Sequence, residues 1–313
     1  MNLLTWSYLL AQEESRLQFL PILNQFVSGI SIVGILLLTA LGLAITFGVM
    51  RIINLAHGEF IMLGAYVTFF MQDLFNMDLL LSIPISFVIT ALIGALMEFT
   101  VIRRLHGRPL ETLLATWGLS IVLRGVVKLL FTAQLKYVRS PSYLSGNLTL
   151  LPVEGGVDIS ISYYRLFVIF IALALLGLTG FLLYGTGLGR QMQAVTQNRQ
   201  MAKCLGINTN FVDLATFAYG CGLAGIAGTV ISSFSTVAPA MGQNYLVDSW
   251  MVVVTGGVDK LLGTLAGALV IGEGNAMIAY FLNDSTARVI VLIGVIVIIR
   301  YRPEGLFTVQ KRS

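Results

Sequence analysis

Residues 22–50 read ILNQFVSGISIVGILLLTALGLAITFGVM, a run without a single charged side chain. A helix needs about 20 mostly apolar residues to cross the hydrocarbon core of a bilayer. Further apolar runs lie at 58–75, 79–102, 111–132, 163–184, 210–235, 262–282 and 286–300. The stretch 246–255 is too short to cross as a helix and is typical of half of a broken helix. The sequence therefore predicts an all-α polytopic membrane protein of eight to nine helical segments, some of them broken.

The composition supports a membrane protein and argues against several other classes. Of 313 residues, 57% are apolar and 11% are charged, against about 25% charged in soluble domains. The net charge of +4 is small and the basic residues are scattered, so we expect no nucleic-acid binding. Cys204 and Cys221 show neither ligand spacing nor a disulfide framework, and there are two histidines, so we expect no metal site.

Basic residues predict the orientation, because loops rich in Lys and Arg stay in the cytoplasm. Such residues cluster in three regions: Arg103, Arg104 and Arg108; Arg190, Arg199 and Lys203; and Arg300, Arg302, Lys311 and Arg312. The loop 133–162 then faces outward, the N-terminus lies outside and the C-terminus is cytoplasmic. We expect an extracytoplasmic N-terminal segment at 1–20, one transmembrane domain at 21–302 and a cytoplasmic tail at 303–313.

The longest cytoplasmic connection, 185–209, contains LGRQMQAVTQNRQMAKCLGI at 188–207. Its apolar residues recur at roughly helical spacing, and Gly206 is placed where a glycine ends a helix. A helix of about 16 residues would extend about 24 Å. From the spacing alone, it either docks into another subunit or lies on the surface as a linker. Because the chain has no GxxxxGK[ST] motif, any ATP must be hydrolysed by a partner.

Four collinear segments carry a family resemblance. With Ala194, Val195, Ala202, Gly206 and Ile207, the stretch at 188–207 resembles the coupling loop of ABC-importer permeases for branched-chain amino acids and amides. RIINLAHGE at 51–59 with GAY at 64–66, GGVDKLLGT at 256–264 and RPEGLF at 302–307 resemble other signatures of that family. Arg51 departs from the pattern, because a small residue is expected there.

The resemblance implies an ABC-importer permease fold in the bacterial inner membrane. Its implied partners are a second homologous permease, two ATPase subunits that hold ATP and Mg, and an extracytoplasmic solute-binding protein. The chain itself is expected to hold no cofactor and to be no enzyme. The residues expected to couple it to the ATPases are Arg190, Ala194, Val195, Asn198, Arg199, Ala202, Lys203 and Gly206.

Three stretches resemble the urea-importer subtype of this family: ETLLATWG at 111–118, VTQNRQMAKCLG at 195–206 and VDS at 247–249. Amino-acid permeases tend to carry an acidic pair where this chain has Gln197 and Asn198. We therefore expect urea as the solute, with short amides as further candidates. One alternative is a branched-chain amino acid permease. A second is a passive urea or amide channel, which would not need the basic loop at 185–209.

Ionisable and polar residues within the apolar pattern are candidates for the translocation path. Asn54, His57 and Glu59 either line the path or its gate, or form a capped turn between two helices. Glu273 and Asn275 are further candidates, although the glycines around Glu273 are more typical of helix packing. Arg124 should lie well inside the membrane, and Glu273 is the acid at the best-matched depth, so we expect these two to pair.

Overall fold

The computed structural model describes residues 3–132, 134–151, 159–258, 260–302 and 305–306, with the backbone alone for 3–20, 150–151 and 159. These residues form eleven α-helices: α1 (Leu3–Met50), α2 (His57–Phe75), α3 (Leu79–Thr100), α4 (Pro109–Phe131), α5 (Tyr163–Gly185), α6 (Gly187–Gln197), α7 (Arg199–Cys204), α8 (Thr209–Ser232), α9 (Met241–Gly256), α10 (Leu261–Phe281) and α11 (Asp284–Tyr301). Short 3₁₀ helices occupy Ile102–Leu105 and Ser142–Leu144.

The prediction of a helical membrane protein is confirmed, and every long apolar run corresponds to one helix. Six helical stretches are long and apolar enough to cross a bilayer: 21–50, 79–100, 109–131, 163–185, 209–232 and 261–281. The short stretch at 246–255 belongs to α9, which has 16 residues. The 133–162 loop holds an unpredicted antiparallel hairpin of β1 (Asn147–Leu151) and β2 (Ile159–Ser162). The boundary expected at residue 20 is untested, since α1 runs through it.

The chain is built from two similar halves, α1–α4 and α8–α11. In each half a long helix is followed by an irregular connection (51–56 or 233–240), a second helix and two more. The helix contacts are equivalent in the two halves. The contact of α1 with α10 corresponds to that of α8 with α3, and the contact of α2 with α8 corresponds to that of α9 with α1. Because successive helices reverse direction, α1 and α8 run oppositely. The two halves are therefore inverted copies, as in many transporters.

Glycines allow the two halves to approach at their backbones. A Cβ atom at Gly58 would overlap the carbonyl oxygen of Gly242, and a Cβ at Gly242 would overlap that of Gly58. Gly42 of α1 and Gly220 of α8 make the same reciprocal contact. In lipid, where apolar burial contributes little to helix association, such small residues provide close packing. These pairs lie on the approximate two-fold axis that relates the halves.

Hydroxyl side chains add polar links between the packed helices. Thr68 of α2 donates to Thr229 of α8 at 2.9 Å, and Thr229 donates to Ser86 of α3 at 2.6 Å. All three side chains are buried. Each hydroxyl also reaches a carbonyl of its own helix, so none is left without a partner in the membrane.

The backbone conformation after α1 explains why the family pattern has a small residue at the position of Arg51. Arg51 has φ 54°, in the left-handed region that glycine adopts without cost and other residues adopt at about 1–2 kcal/mol. Its backbone N–H still donates to Phe47 at 2.9 Å. The position where the family pattern has a small residue is therefore the one where a side chain strains the backbone.

We expect Gly242→Ala to destabilise the protein, because the added methyl group meets the backbone of Gly58 and cannot be relieved by a side-chain rotation. Overpacking of this kind costs about 1–3 kcal/mol. Gly118→Ala is the matched control, since a Cβ at Gly118 in α4 has no heavy atom within 4 Å. The thermal unfolding midpoint in detergent should fall for Gly242→Ala and hold or rise for Gly118→Ala. Equal midpoints would contradict the reciprocal glycine contact.

Candidate functional site

The helix α2 begins deep in the membrane instead of at its surface. His57, its first residue, places its Nε2 2.9 Å from the carbonyl oxygen of Thr39. Thr39 lies eleven residues before the end of α1, which corresponds to about 16 Å along the helix. Because Gly242 meets Gly58, α9 begins at the same depth. The N-termini of two half-helices therefore meet in the interior of the bilayer.

Protein groups satisfy several backbone groups of the connection 51–56. The Asn54 side chain accepts from the N–H of Ala56 at 3.0 Å. The Thr116 hydroxyl on α4 accepts from the N–H of Leu55 at 3.2 Å and lies 3.3 Å from the carbonyl oxygen of Ile53. Asn54 and His57 are both fully buried, so in this conformation they contact protein and no open path. Their role in gating stays a prediction.

The buried charge pair differs from the one expected. Arg124 of α4 forms a salt bridge with Glu59 of α2, and the Glu59 side chain is 2% exposed. With its amide oxygen turned toward Arg124, Gln243 of α9 accepts from the two guanidinium nitrogens at 3.0 and 2.8 Å. The predicted pair of Arg124 and Glu273 is therefore wrong. α4 packs against α2, and Glu273 lies on α10 with its carboxylate against Gly29 of α1.

The first residues of α9 expose polar side chains at this depth. Gln243 and Asn244 follow the buried Met241 and Gly242, and both are exposed in the isolated chain. Glu273 has no hydrogen-bond partner for either carboxylate oxygen among the described residues. Asn275 lies on the same helix as Glu273 and lines a cavity with Tyr245 and Asp248. The sequence did not identify Gln243 or Asn244 as candidates for the translocation path, because a short polar stretch gives no indication of its depth in the membrane.

The segment 185–209, predicted to be cytoplasmic, forms two helices where one was predicted. Thr186 caps α6 and Asn198 caps α7 by accepting from the N–H of Met201 at 3.0 Å. Asn198 itself is extended, with φ −155° and ψ 102°, so the helix breaks there. The predicted stop is confirmed, since Gly206 has φ 82° and follows the end of α7.

One face of this segment packs on its own chain. Met192, Val195 and Ala202 are buried in a small apolar cluster with Val212 of α8, and Ala194 packs against it. Ala202 is among the residues expected to couple the chain to the ATPases. Because Ala202 is 2% exposed, it instead allows α7 to approach α8.

Arg199 also faces inward. Its guanidinium forms a salt bridge with Asp213 in the first turns of α8, and its Nη1 lies 3.1 Å from Asp213 Oδ1. The ring Nε2 of His106, in the loop before α4, accepts from Arg199. Burial lowers the pKa of His106 from its usual value, which favours the neutral ring that accepts this bond. The expectation that Arg199 meets an acidic group on a partner is thus corrected.

The outward face of the segment 185–209, meaning the face that points away from the rest of the chain, has a different composition from the one predicted. Arg190, Lys203, Asn198 and Gly206 are exposed. Beside them, Met201 and Leu205 are 58% and 74% exposed. Leu205 belongs to the apolar spacing that predicted this helix, and the fold shows that both side chains point away from the chain.

We expect Glu59→Gln to lower the folded yield and the unfolding midpoint strongly, because it leaves Arg124 charged in the membrane. Removing one partner of a buried pair typically costs about 3–5 kcal/mol. The double variant Glu59→Gln with Arg124→Gln should recover part of the loss. Glu111→Gln is the control, since its pair with Arg108 is exposed and such pairs contribute about 0–1 kcal/mol. Additive effects in the double variant would argue against the pair.

Comparison with known proteins agrees with this architecture. The model of the family "Branched-chain amino acid transport system / permease component" matches residues 25–300. The high-affinity branched-chain amino acid transport system permease protein BraD of Pseudomonas aeruginosa is 30% identical over 295 residues, covering 91% of this chain and 95% of BraD. The corresponding protein LivH of Escherichia coli K12 is 28% identical over 302 residues, covering 92% and 96%.

A probable branched-chain amino acid transport permease protein LivH from Methanocaldococcus jannaschii is 28% identical over 258 residues, covering 80% of this chain and 79% of that protein. No solved structure matches the chain. Because the family model covers most of the sequence, and the inverted helical halves fit a membrane transporter, this chain belongs to the family of branched-chain amino acid transport system permease components.

Proposed function

We propose that this chain forms one side of the translocation path of an ABC importer and passes ATP-driven motion to that path through residues 185–209. The observation that carries the proposal is the exposed polar edge formed by Gln243 and Asn244 at the start of α9. Polar side chains at this depth are costly against lipid and normally face protein or a water-filled cavity. A path shared with a second, homologous permease subunit gives this edge such an environment.

The helix dipoles and charges of this region suit a small polar solute. The N-termini of α2 and α9 carry partial positive charge toward their meeting point. Glu59 offsets the charge of Arg124, so this cluster carries little net charge into the path. A solute that passes there meets hydrogen-bonding groups without a strong electrostatic trap, which favours release over tight binding.

The cytoplasmic segment is positioned to transmit force. Its inward face is attached to α8 by the apolar cluster around Val212 and by the bond between Arg199 and Asp213. α8 in turn packs against α1, α2 and α3. Movement of α7 therefore displaces the helix against which α1 and α2 pack on either side of the connection 51–56.

In this proposal the outward face of the segment, with Arg190, Lys203, Met201 and Leu205, contacts two ATPase subunits that bind ATP and Mg. An extracytoplasmic solute-binding protein delivers the solute to the opposite side. The chain lies in the bacterial inner membrane with its N-terminus outside and its C-terminus in the cytoplasm, as the basic loops predict.

The solute has two candidates, each favoured by a different observation. The relatives BraD and LivH are named for branched-chain amino acids, so the comparisons support that alternative better than the urea prediction. The segments 111–118, 195–206 and 247–249 favour urea, by their resemblance to the urea-importer subtype. We place branched-chain amino acids first, because identity over nine-tenths of the chain outweighs three short segments.

We expect deletion of the chain to abolish high-affinity leucine uptake and to leave urea uptake unchanged, measured with radiolabelled solutes at low external concentration. The control is a strain complemented with the wild-type chain. Loss of urea uptake with intact leucine uptake would replace the first candidate with the second. Uptake that persists after replacement of the ATP-binding lysine in the ATPase subunits would support a passive channel and contradict the proposal.

We expect Leu205→Asp to uncouple transport from hydrolysis, because a charge replaces an apolar contact with the ATPase. Solute uptake and the ATPase stimulation by loaded binding protein should both fall in reconstituted vesicles, while membrane insertion stays normal. Leu205→Met preserves the apolar contact and should behave as wild type. Tyr137→Asp adds the same charge to an exposed position in the 133–162 loop and serves as the second control. Wild-type coupling in Leu205→Asp would show that the segment is only a linker.

A further inference from the structure

A cavity of about 250 Å³ lies where three of the helices that are long and apolar enough to cross the membrane have their ends. α1 ends at Met50, α5 ends at Gly185 and α10 begins at Leu261, and residues of α6 form a further wall. The end of a hydrophobic span marks the level of the lipid headgroups. Because one water needs about 10–15 Å³, the cavity has room at this level for a much larger group.

Two cations line this cavity, Arg51 after α1 and Lys260 before α10. No acidic side chain lines it among the residues that the structure describes, which leave out Asp259. Neither cation forms a salt bridge within that part of the chain, whereas Arg124 and Arg199 each contact a carboxylate. Two positive charges beside one cavity produce a local positive potential that attracts an anion.

The backbone of Arg51 supports a role for its charge. Its φ of 54° lies in the left-handed region, which glycine adopts without strain. Strained residues are found preferentially at functional sites, where the surrounding structure maintains them. At this position a cationic side chain is therefore present where a residue without a side chain would relax the backbone, and that side chain borders the cavity.

Much of the remaining wall is apolar. Ala44 and Ile45 of α1 and Leu183 of α5 line the cavity. At its edge, Tyr184 and Leu262 are 67% and 72% exposed in the isolated chain. A free phosphate ion makes no use of such walls, whereas the glycerol region and the first acyl carbons of a phospholipid contact them. Basic pockets between membrane helices are known to bind anionic lipid headgroups.

We propose that this cavity binds the headgroup of an anionic phospholipid. Its phosphate lies between Arg51 and Lys260, and its acyl chains leave the cavity along Leu262. Gln193 of α6 also lines the cavity, so the bound lipid connects the ends of α1 and α10 with the segment 185–209. Binding of the lipid does not depend on which solute is carried, nor on the proposed role of that segment.

The test uses the assembled transporter in a neutral detergent, with bound lipid counted by native mass spectrometry. We expect dioleoyl phosphatidylglycerol to bind saturably and about tenfold more tightly than dioleoyl phosphatidylcholine, whose headgroup carries a compensating positive charge. Lys260→Gln should weaken binding of phosphatidylglycerol about fivefold and leave phosphatidylcholine unchanged. Arg104→Gln is the matched control, because Arg104 is an exposed cation that does not line the cavity.

Arg51→Gly separates a binding role from a structural one. Glycine adopts the backbone conformation of Arg51 without strain, so without lipid this variant should unfold at the wild-type temperature or above it. It should nevertheless lose the rise in unfolding temperature that phosphatidylglycerol causes in the wild type. A lower unfolding temperature without lipid, together with an unchanged response to phosphatidylglycerol, would show that Arg51 has only a structural role and would overturn the proposal.

Two measurements on the wild type test the proposal even if a variant fails to assemble. Phosphatidylglycerol with a photoreactive group beside its headgroup should label the peptides that contain Tyr184 or Leu262. Glycerol 1-phosphate and inorganic phosphate, which lack acyl chains, should not displace it. Displacement by either would identify a free anion as the ligand and overturn the lipid assignment. Labelling confined to other helices, equal binding of phosphatidylcholine, or no saturable binding in the assembled transporter would overturn the site.

Discussion

The backbone contact between Gly58 and Gly242 is the constraint on which the rest of the structure depends. Two half-helices can start inside a bilayer only if protein groups satisfy the irregular backbone beside them. Asn54 and Thr116 supply those groups after α1, and the missing side chains at the two glycines allow α2 and α9 to meet. Other polar contacts surround that meeting point. Thr68 of α2 and Thr229 of α8 are hydrogen-bonded, and the pair of Glu59 and Arg124 attaches α4 to α2.

The same junction is linked to residues 185–209 through one helix. α8 begins directly after these residues, where Asp213 binds Arg199, and passes Gly220 beside α1 and Gly225 beside Thr90 of α3. Its interior is almost wholly buried. A tightly packed helix moves as a unit because cores resist continuous deformation. In the proposed function, attachment of residues 185–209 to α8, and not to a lipid-facing helix, allows these residues to transmit force.

The sequence predicted the helices well, because membrane helices are recorded in hydropathy and length. It also predicted the glycine stop at Gly206, because that signal is local. It failed where the answer depends on which side of a helix a residue occupies. We paired Arg124 with Glu273 because both should lie at a similar depth in the membrane, but α4 packs against α2 and not against α10. Arg199 was assigned to a partner because the distant Asp213 cannot be recognised as its acid from spacing alone, and the break at Asn198 depends on a side-chain cap within a helical pattern.

Charged side chains in the membrane domain are placed in two different ways. Glu59 and Arg124 are in direct contact and offset one another's charge, so they join α2 and α4 with little net charge. Asp248 and Arg288 line one cavity, and no salt bridge joins them among the residues that the structure describes. α9 and α11 contact one another, and residues of α1 and α10 complete the walls of the cavity beside that contact. The helix framework therefore places these charged side chains around a space between helices, whereas it brings Glu59 and Arg124 into direct contact.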